Sequence, residues 1–293
     1  MSDNSKTNAA ILMIILSLIW GSSFILIKQG LKVFSPDQVG ALRVSSAFLF
    51  LIPPALTRLK ELKNHHYIKL FLSGMLGIFI PAFLFSFAQT RMSSSVAGIM
   101  NTLTPMFTML LGVLFFAQRF RAIAVVGIVL GFGGAILLIL SREGGQITGI
   151  NYYALLIVLA CLCYGTNLNF IKFKIADLRA LTITSISVVL IGPFALIYLL
   201  GFTDFTTRLQ TAPGGWEAFG YIALLGMMGT ALATILFNRL VKISTPLYAS
   251  SVTYIIPIVA VMWGVLDNER LYPGHYIGMV AIVAGVYLAN RKR

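Results

Sequence analysis

The segment at positions 93–116 reads SSSVAGIMNTLTPMFTMLLGVLFF, and the segment at positions 246–266 reads PLYASSVTYIIPIVAVMWGVL. Neither contains a charged residue, and each is long enough for a helix to cross a bilayer, which takes about 20 mostly apolar residues. The two segments share five residues at a constant offset of 152 positions: Ala97 and Ala249, Pro105 and Pro257, Gly112 and Gly264, Val113 and Val265, Leu114 and Leu266. They therefore predict two membrane-spanning helices that are copies of one another.

Similar apolar runs occupy most of the chain. Of its 293 residues, 58% are hydrophobic and 11% are charged, whereas a soluble domain carries roughly 25% charged residues. One core could not bury so much apolar surface, but lipid can accept it. We predict an all-α integral membrane protein with ten transmembrane helices, at about 9–27, 38–57, 67–89, 93–116, 122–140, 151–171, 180–201, 216–238, 246–266 and 274–290.

The two halves of the chain resemble each other over several helices. The further matches are Gly74 and Gly77 with Gly226 and Gly229, Gly127 and Gly134 with Gly278 and Gly285, and Trp20-Gly21-Ser22 with Tyr164-Gly165-Thr166. Because each copy holds five spans, the second copy starts from the opposite side of the membrane. We expect two inverted five-helix repeats, 1–141 and 150–293, an architecture typical of secondary transporters with a site near the midplane.

The net charge of +13 is a topology signal rather than a nucleic-acid surface, because the basic residues lie between the apolar runs. With a cytoplasmic N-terminus, fifteen Lys and Arg residues fall inside and six fall outside, and Arg43 lies within a span. The positive-inside rule then places both termini in the cytoplasm of a multi-pass protein of the bacterial inner membrane.

Several motifs resemble the drug/metabolite transporter superfamily, EamA type. They are Trp20-Gly21-Ser22-Ser23-Phe24, Arg43, Ser95-Val96-Ala97 with Leu103-Thr104-Pro105, Ala249-Ser250-Ser251 with Pro257, and Glu269-Arg270-Leu271. The resemblance covers essentially the whole chain and implies export or exchange of amino acids, metabolites, drugs or nucleotide-linked sugars.

The sequence departs from the family pattern after the fourth span. There it reads Ala117-Gln118-Arg119 where the family usually has Gly-Glu-Arg, so an acidic role at this position is in doubt. We expect the surviving Glu269 to cap the helix that begins near Pro273-Gly274 rather than to handle substrate.

Arg43 is the one formal charge well inside a predicted span. Because burying a charge in lipid costs much free energy, Arg43 is a functional candidate. Its guanidinium fork matches a carboxylate or a phosphate. The alternative is that Arg43 lies within snorkelling reach of the outer surface and ties loop carbonyls together there. The second copy has no matching Arg, since the equivalent region reads Leu181-Thr182-Ile183-Thr184.

The other candidate substrate-binding residues are polar or aromatic groups within the spans: Trp20, Ser23, Asn101, Tyr164, Asn167 and Tyr254. Trp20 and Tyr164 occupy equivalent places, each before a glycine, and either line a cavity or act as interfacial anchors. Asn101 and Asn167 either bind substrate or join helices through hydrogen bonds. Pro105 and Pro257 are expected to bend their helices because each removes a backbone donor.

The sequence carries no catalytic triad, metal-ligand spacing or phosphate loop, so we expect neither an enzyme nor a cofactor or metal. No carboxylate lies deep in a span, which disfavours a proton relay. The leading hypothesis is a secondary transporter that moves amino acids or similar amphipathic solutes by alternating access. The alternatives are an exchanger of phosphorylated or nucleotide-linked solutes and a membrane sensor or scaffold without flux. The expected partners are a small-molecule substrate and membrane lipid, without nucleic acid, and a monomer is the default.

Overall fold

A computed structural model of the chain describes residues 3–116, 122–140, 151–243 and 252–290. Within these ranges the regular structure is helical, and no strand occurs among the described residues. The longer helices, numbered in chain order, are α1 Asp3–Gly30, α2 Pro36–Arg58, α3 (Asn64–Gly74, Met75–Phe79 and Ile80–Ala88), α4 (Ser94–Met100, Asn101–Leu103 and Thr104–Phe116), α5 Ala122–Leu140, α6 Tyr152–Lys174, α7 Ala180–Gly201, α8 (Gly215–Leu224, Leu225–Leu232 and Ala233–Ile243), α9 Val252–Leu266 and α10 Pro273–Asn290. Two short helices, Leu59–Glu61 and Phe205–Thr211, lie in the connections.

Seven of these helices, α1 to α4 and α6 to α8, are long and apolar enough to cross a membrane by length and composition. Three shorter apolar stretches lie in α5, α9 and α10, at Ile123–Leu138, Ile255–Leu266 and Pro273–Leu288. The predicted class, an all-α membrane protein, is confirmed. The count of ten spans stays a prediction, and the predicted start of the ninth span at 246 lies outside the described residues.

Polar residues at the ends of the loops begin the helices. The backbone N–H of Ser35 donates to Gln38 Oε1 at 3.1 Å, and Pro36 follows in the first turn of α2. Ser93 Oγ accepts from the Val96 N–H at 3.3 Å at the start of α4. Side chains of this kind satisfy the first N–H groups of a helix, which have no partner within it.

The helices pack in pairs that correspond when the two halves are exchanged. α2 packs on α7 and α5 packs on α10, while α1 packs on α9 and α6 packs on α4. α3 packs on α6 and α8 packs on α1. This is the contact pattern that two structurally equivalent halves would give, and the division at 141–150 stays a prediction.

Small residues bring α5 and α10 together. A Cβ added to Gly285 would lie 2.5 Å from the Gly127 carbonyl oxygen and 2.5 Å from the Gly131 nitrogen, and one added to Gly134 would lie 2.7 Å from the Gly278 oxygen. In lipid, helix association depends on such close backbone approach.

Among the longer helices of the described part of the chain, three contain a stretch that is not α-helical. α3 contains a π-helical stretch at Met75–Phe79, and α8 contains one at Leu225–Leu232. Gly77 and Gly229, which match at the 152 offset, lie in these stretches. α4 tightens to a 3-10 turn at Asn101–Leu103, directly before Thr104-Pro105. Irregular turns of this kind are common at functional sites in helices.

Candidate functional site: a central aromatic and basic cluster

Two aromatic pairs occupy equivalent places in the interior. The rings of Trp20 in α1 and Phe237 in α8 lie 5.3 Å apart between centroids, and those of Tyr164 in α6 and Phe85 in α3 lie 6.2 Å apart. Trp20 and Tyr164 are 144 positions apart, and Phe85 and Phe237 are 152 positions apart. Each pair joins a helix from one half of the chain to a helix from the other. Phe24 packs edge-on against Phe85 at 5.7 Å.

Trp20 and Ser23 both contact the π-helical stretch of α8. The indole Nε1–H of Trp20 donates to the Gly229 carbonyl oxygen at 2.9 Å. The Ser23 hydroxyl donates to the Ile19 carbonyl at 3.0 Å and lies where a side chain on Gly229 would meet it, 3.1 Å from an added Cβ. Trp20 is thus held by a hydrogen bond inside the protein, so its polar end is not free to anchor at a membrane interface.

Arg43 points into the protein toward α8 and α6. Its Nε donates to Thr230 Oγ1 at 3.0 Å, and its guanidinium interacts with the hydroxyl of Tyr164. Among the described residues both partners of Arg43 are side chains of other helices, and neither is a loop carbonyl.

The structure gives Arg43 a different counterpart in the second half from the region that the sequence comparison indicates. A Cβ added to Gly226 would lie 2.5 Å from the Arg43 carbonyl oxygen, and one added to Gly74 would lie 2.7 Å from the Ser187 carbonyl oxygen. Because Gly74 and Gly226 match, Arg43 corresponds to Ser187 rather than to a residue in the range 181–184. The second half therefore still lacks a matching cation.

The two asparagines have different surroundings. Ser73 Oγ donates to Asn167 Oδ1 at 2.7 Å, and the Asn167 amide nitrogen lies against Gly77. Asn167 thus joins α6 to α3. Asn101 Oδ1 is buried and has no hydrogen-bond partner among the described residues, so Asn101 is the better placed of the two to meet a ligand.

Both prolines lie in helices, and the bends expected at them stay predictions. Pro105 lacks the N–H that would bond to the Asn101 carbonyl, and the Cys161 thiol lies 3.8 Å from that oxygen and 3.6 Å from the Met100 oxygen. Pro257 lies inside α9. Tyr254 also lies in α9, but its side chain is outside the part of the chain that the structure describes.

A cluster of charged residues joins α1, α4 and α9 at the end of the bundle predicted to face outside. Lys28 Nζ lies 2.7 Å from Asp267 Oδ2 and 2.8 Å from Glu269 Oε1. Both backbone N–H groups and both hydroxyls of Ser94 and Ser95 donate to Glu269, at 2.6–3.0 Å. We call these five residues the outer cluster.

The prediction that Glu269 caps the helix starting near Pro273 is wrong, because Glu269 caps the N-terminus of α4. Burial would raise the pKa of Glu269, but the hydrogen bonds from Lys28, Ser95 and Ser94 outweigh burial and lower that pKa to about 2. A carboxylate at a helix N-terminus also meets the positive end of the helix dipole.

A second polar cluster lies at the opposite end, where His65, His66 and Asp177 place possible ligand atoms within 4.8 Å of one another. His66 Nδ1 accepts the backbone N–H of Lys63 at 3.0 Å, and Nε2 lies 3.0 Å from Asp177 Oδ2. With Nδ1 accepting, a neutral imidazole carries its proton on Nε2 and donates it to the carboxylate. This arrangement fits a helix cap better than a metal site.

Sequence reasoning missed Phe85, Phe237, Thr230 and Lys28. The 152 offset could have found Phe85 and Phe237, since both are phenylalanine in matching spans. Nothing in the sequence marks Thr230 as the partner of Arg43, 187 positions away.

The chain is similar to several known proteins. The chain is 25% identical to the inner membrane transporter YedA of Escherichia coli K12, over 94% of this chain and 88% of YedA. It is 24% identical to a probable amino-acid metabolite efflux pump of the same organism, over 95% of this chain and 93% of that protein. A protein of known crystal structure shares the fold, with a TM-score of 0.64 and 16% identity over 97% of this chain and 96% of that chain.

A family model spans nearly all of the sequence in two matches, residues 7–140 and 151–291. Together the two matches cover the helices that carry the aromatic pairs, Arg43 and the outer cluster. The chain is a membrane-spanning member of the EamA-like transporter family.

Proposed function

We propose that the protein is a secondary transporter that moves small amphipathic metabolites, amino acids or similar solutes, across the inner membrane by alternating access. The observation that carries the proposal is the position of Arg43. Its guanidinium is bound by Thr230 of α8 and faces Tyr164 of α6, beside the two aromatic pairs. The cluster thus combines one cation with apolar ring surface, where helices of both halves meet.

This combination matches the chemistry of an amphipathic acid. The guanidinium fork of Arg43 can hold a carboxylate through paired hydrogen bonds. The rings of Trp20, Phe85 and Tyr164 can contact an apolar side chain, and the unpaired Oδ1 of Asn101 can accept a hydrogen bond from an ammonium group. Export is the direction supported by the relative named as an efflux pump.

The pairing of helices supports alternating access. α1 with α9 and α6 with α4 are exchanged when the halves are exchanged, which is what two inverted repeats require. The inward orientation of both termini rests on the fifteen-to-six distribution of basic residues. The inner membrane is supported by the likeness to YedA.

A carrier of phosphorylated solutes needs several cations to converge on one site. In the described spans the central cluster contains Arg43 alone. We therefore favour a solute with a single carboxylate. The following test separates a transporter from a sensor without flux.

The test is release of solute from proteoliposomes that contain the purified protein and a mixture of L-amino acids, nucleosides and organic acids, followed by mass spectrometry. We expect selective release of carboxylate-bearing solutes above protein-free liposomes, and weaker release at the same solute concentration in Arg43→Ala. Arg58→Ala, a partly exposed arginine paired with Glu61, is the matched control and should transport normally. Absence of release by folded wild-type protein would contradict the proposal and favour the sensor.

A further inference from the structure

Gln89, the residue that closes α3, carries an unexplained buried amide. Its side chain is 6% exposed, and neither Oε1 nor Nε2 has a hydrogen-bond partner among the described residues. A buried polar group left without a partner costs about 1–3 kcal/mol. A leucine or methionine would fill the same space without that penalty, so the amide has a use other than packing.

The direction of the side chain follows from the helix. Gln89 still has helical backbone angles, and its N–H donates to the Phe85 carbonyl at 3.0 Å. Residues four apart lie on the same face of a helix, so Gln89 lies one turn beyond Phe85 on the face that meets Phe24 and Tyr164. It therefore continues the face of α3 that borders the central cluster.

The surroundings place Gln89 between the central cluster and the outer cluster. Ser94, which binds Glu269, follows only five positions later in the chain. Phe24 of α1 contacts both Phe85 and the Gly98 position of α4. Helices α1, α3 and α4 thus converge beside Phe85, one turn before Gln89.

We propose that Gln89 is a substrate-contacting residue that determines specificity, binding the polar end of a zwitterionic solute as it passes between the central cluster and the outer end. A primary amide offers one acceptor for an ammonium group and two donors for a carboxylate. It adds no charge, so it recognises the solute without the desolvation penalty of a second ion. The inference rests on the proposed function and adds a second recognition position to it.

The experiment compares Gln89→Leu with Gln38→Leu. Gln38 is also buried, at 1% exposure, but its Nε2 donates to Asp204 Oδ1 at 2.6 Å and its Oε1 accepts from the Ser35 N–H at 3.1 Å. We measure the thermal unfolding midpoint of each purified variant without solute, and then the apparent affinity for the released L-amino acid in proteoliposomes.

We expect Gln89→Leu to unfold at the wild-type temperature or above it, with affinity for the amino acid at least tenfold weaker. Gln38→Leu should unfold at a lower temperature with affinity unchanged in the folded fraction. A Gln89→Leu protein that loses stability as Gln38→Leu does would show a structural amide and overturn the inference. Unchanged affinity in a stable Gln89→Leu protein would overturn it as well.

A negative result with the wild type and a negative result with Gln89→Leu contradict different proposals. If the wild type binds and releases no amino acid, the proposed substrate class is wrong, and the role of Gln89 falls with it. If the wild type transports amino acids and Gln89→Leu does so equally well, the proposed function stands and only the inference about Gln89 is wrong.

Discussion

Arg43 owes its position to one side chain on another helix. The bond from its Nε to Thr230 fixes the plane of the guanidinium and directs the fork toward Tyr164. An arginine that only snorkelled would extend toward water. The hydroxyl of Thr230 is therefore a positioning group for the cation.

We expect Thr230→Val to raise the KM of transport a few-fold and Arg43→Ala to raise it by tenfold or more, which corresponds to about 1.4 kcal/mol. Arg43→Lys keeps the charge but loses the fork, so its KM should fall between these values. The measurement is initial flux against solute concentration in proteoliposomes. Thr234→Val, which removes a hydroxyl bonded to the Thr230 carbonyl within α8, is the control, and a KM shift there as large as in Thr230→Val would contradict the positioning role.

Asn167 contributes to stability through Ser73. The hydrogen bond between them joins α3 and α6, and interhelical hydrogen bonds in membranes contribute about 0.6–2 kcal/mol. A double-mutant cycle with Ser73→Ala and Asn167→Ala should give a coupling free energy in this range by equilibrium unfolding. Ser185→Ala, whose hydroxyl bonds within its own helix to Leu181, should show no coupling to Asn167→Ala. Additive effects in the first cycle would exclude the bond as a stabilising contact.

The candidate site was predictable where the repeat marks it. Trp20 and Tyr164 stand out because the same offset relates their neighbours, and Arg43 stands out because it is charged within a span. Their partners were not predictable, because the contacts of Arg43 with Thr230 and of Lys28 with Glu269 join residues 187 and 241 positions apart. Only the folded bundle brings these positions together.

At the scale of the helices, α5 and α10 depend on bare backbone at their crossing. A methyl group on Gly134 would meet the Gly278 oxygen at 2.7 Å and the Ile282 nitrogen at 2.9 Å, whereas one on the adjacent Gly133 would meet nothing within 4 Å. The helices would have to separate to accept the first methyl and not the second.

We therefore expect Gly134→Ala to lower the unfolding free energy by about 2 kcal/mol, in the range of overpacking substitutions. Gly133→Ala should leave it unchanged or raise it slightly, because alanine is the better helix former. Thermal unfolding of both variants in detergent is the measurement. Equal midpoints for the two variants would contradict the close crossing.

The helices themselves were predictable to within a few residues wherever apolar length decides. The third span was predicted at 67–89 and is found at Asn64–Ala88, and the seventh was predicted at 180–201 and is found there. The π-helical stretches were not predictable, since MLGIF and LGMMGTAL are ordinary apolar segments. The short helix Phe205–Thr211 was missed because its polar sequence carries no span signal.

For the whole molecule, the outer cluster connects three helices through one carboxylate. Because the pKa of Glu269 is lowered to about 2 from an ordinary value of 4.5, its stabilisation is present above pH 4.5 and is lost as the pH falls from 4.5 toward 2. We expect Glu269→Gln to reduce the unfolding free energy at pH 7 by on the order of 3 kcal/mol.

The difference between wild type and Glu269→Gln should shrink as the pH falls through this window, as followed by thermal unfolding at several pH values. Glu217→Gln, which removes a carboxylate bound to the exposed Tyr221, is the control and should have little effect. A difference independent of pH would show that the charge of Glu269 does not stabilise the outer cluster.

Orientation is the other property of the whole molecule open to direct measurement. We expect a cysteine at Gln210, in the exposed short helix, to react with a membrane-impermeable maleimide in intact cells, and a cysteine at Lys63 to react only after permeabilisation. The native Cys161 and Cys163 are buried, so background labelling should be low, and a variant with both replaced by alanine is the control. The reverse labelling pattern would place the termini outside.

The π-helical stretches give α3 and α8 an extra residue that can change its position along the helix. Each such turn holds one residue more than an α-helical turn, much as a dislocation holds an extra row in a crystal. Moving that surplus residue one position along the helix exchanges one backbone hydrogen bond for another, so no polar group is bared to lipid. The side chain that the extra residue passes then points in a direction rotated by about 100° around the helix axis. Gly77 and Gly229 lie within these stretches and contact Asn167 and Trp20. Movement of the extra residue along the helix would therefore shift each of these contacts between the halves without unwinding a helix.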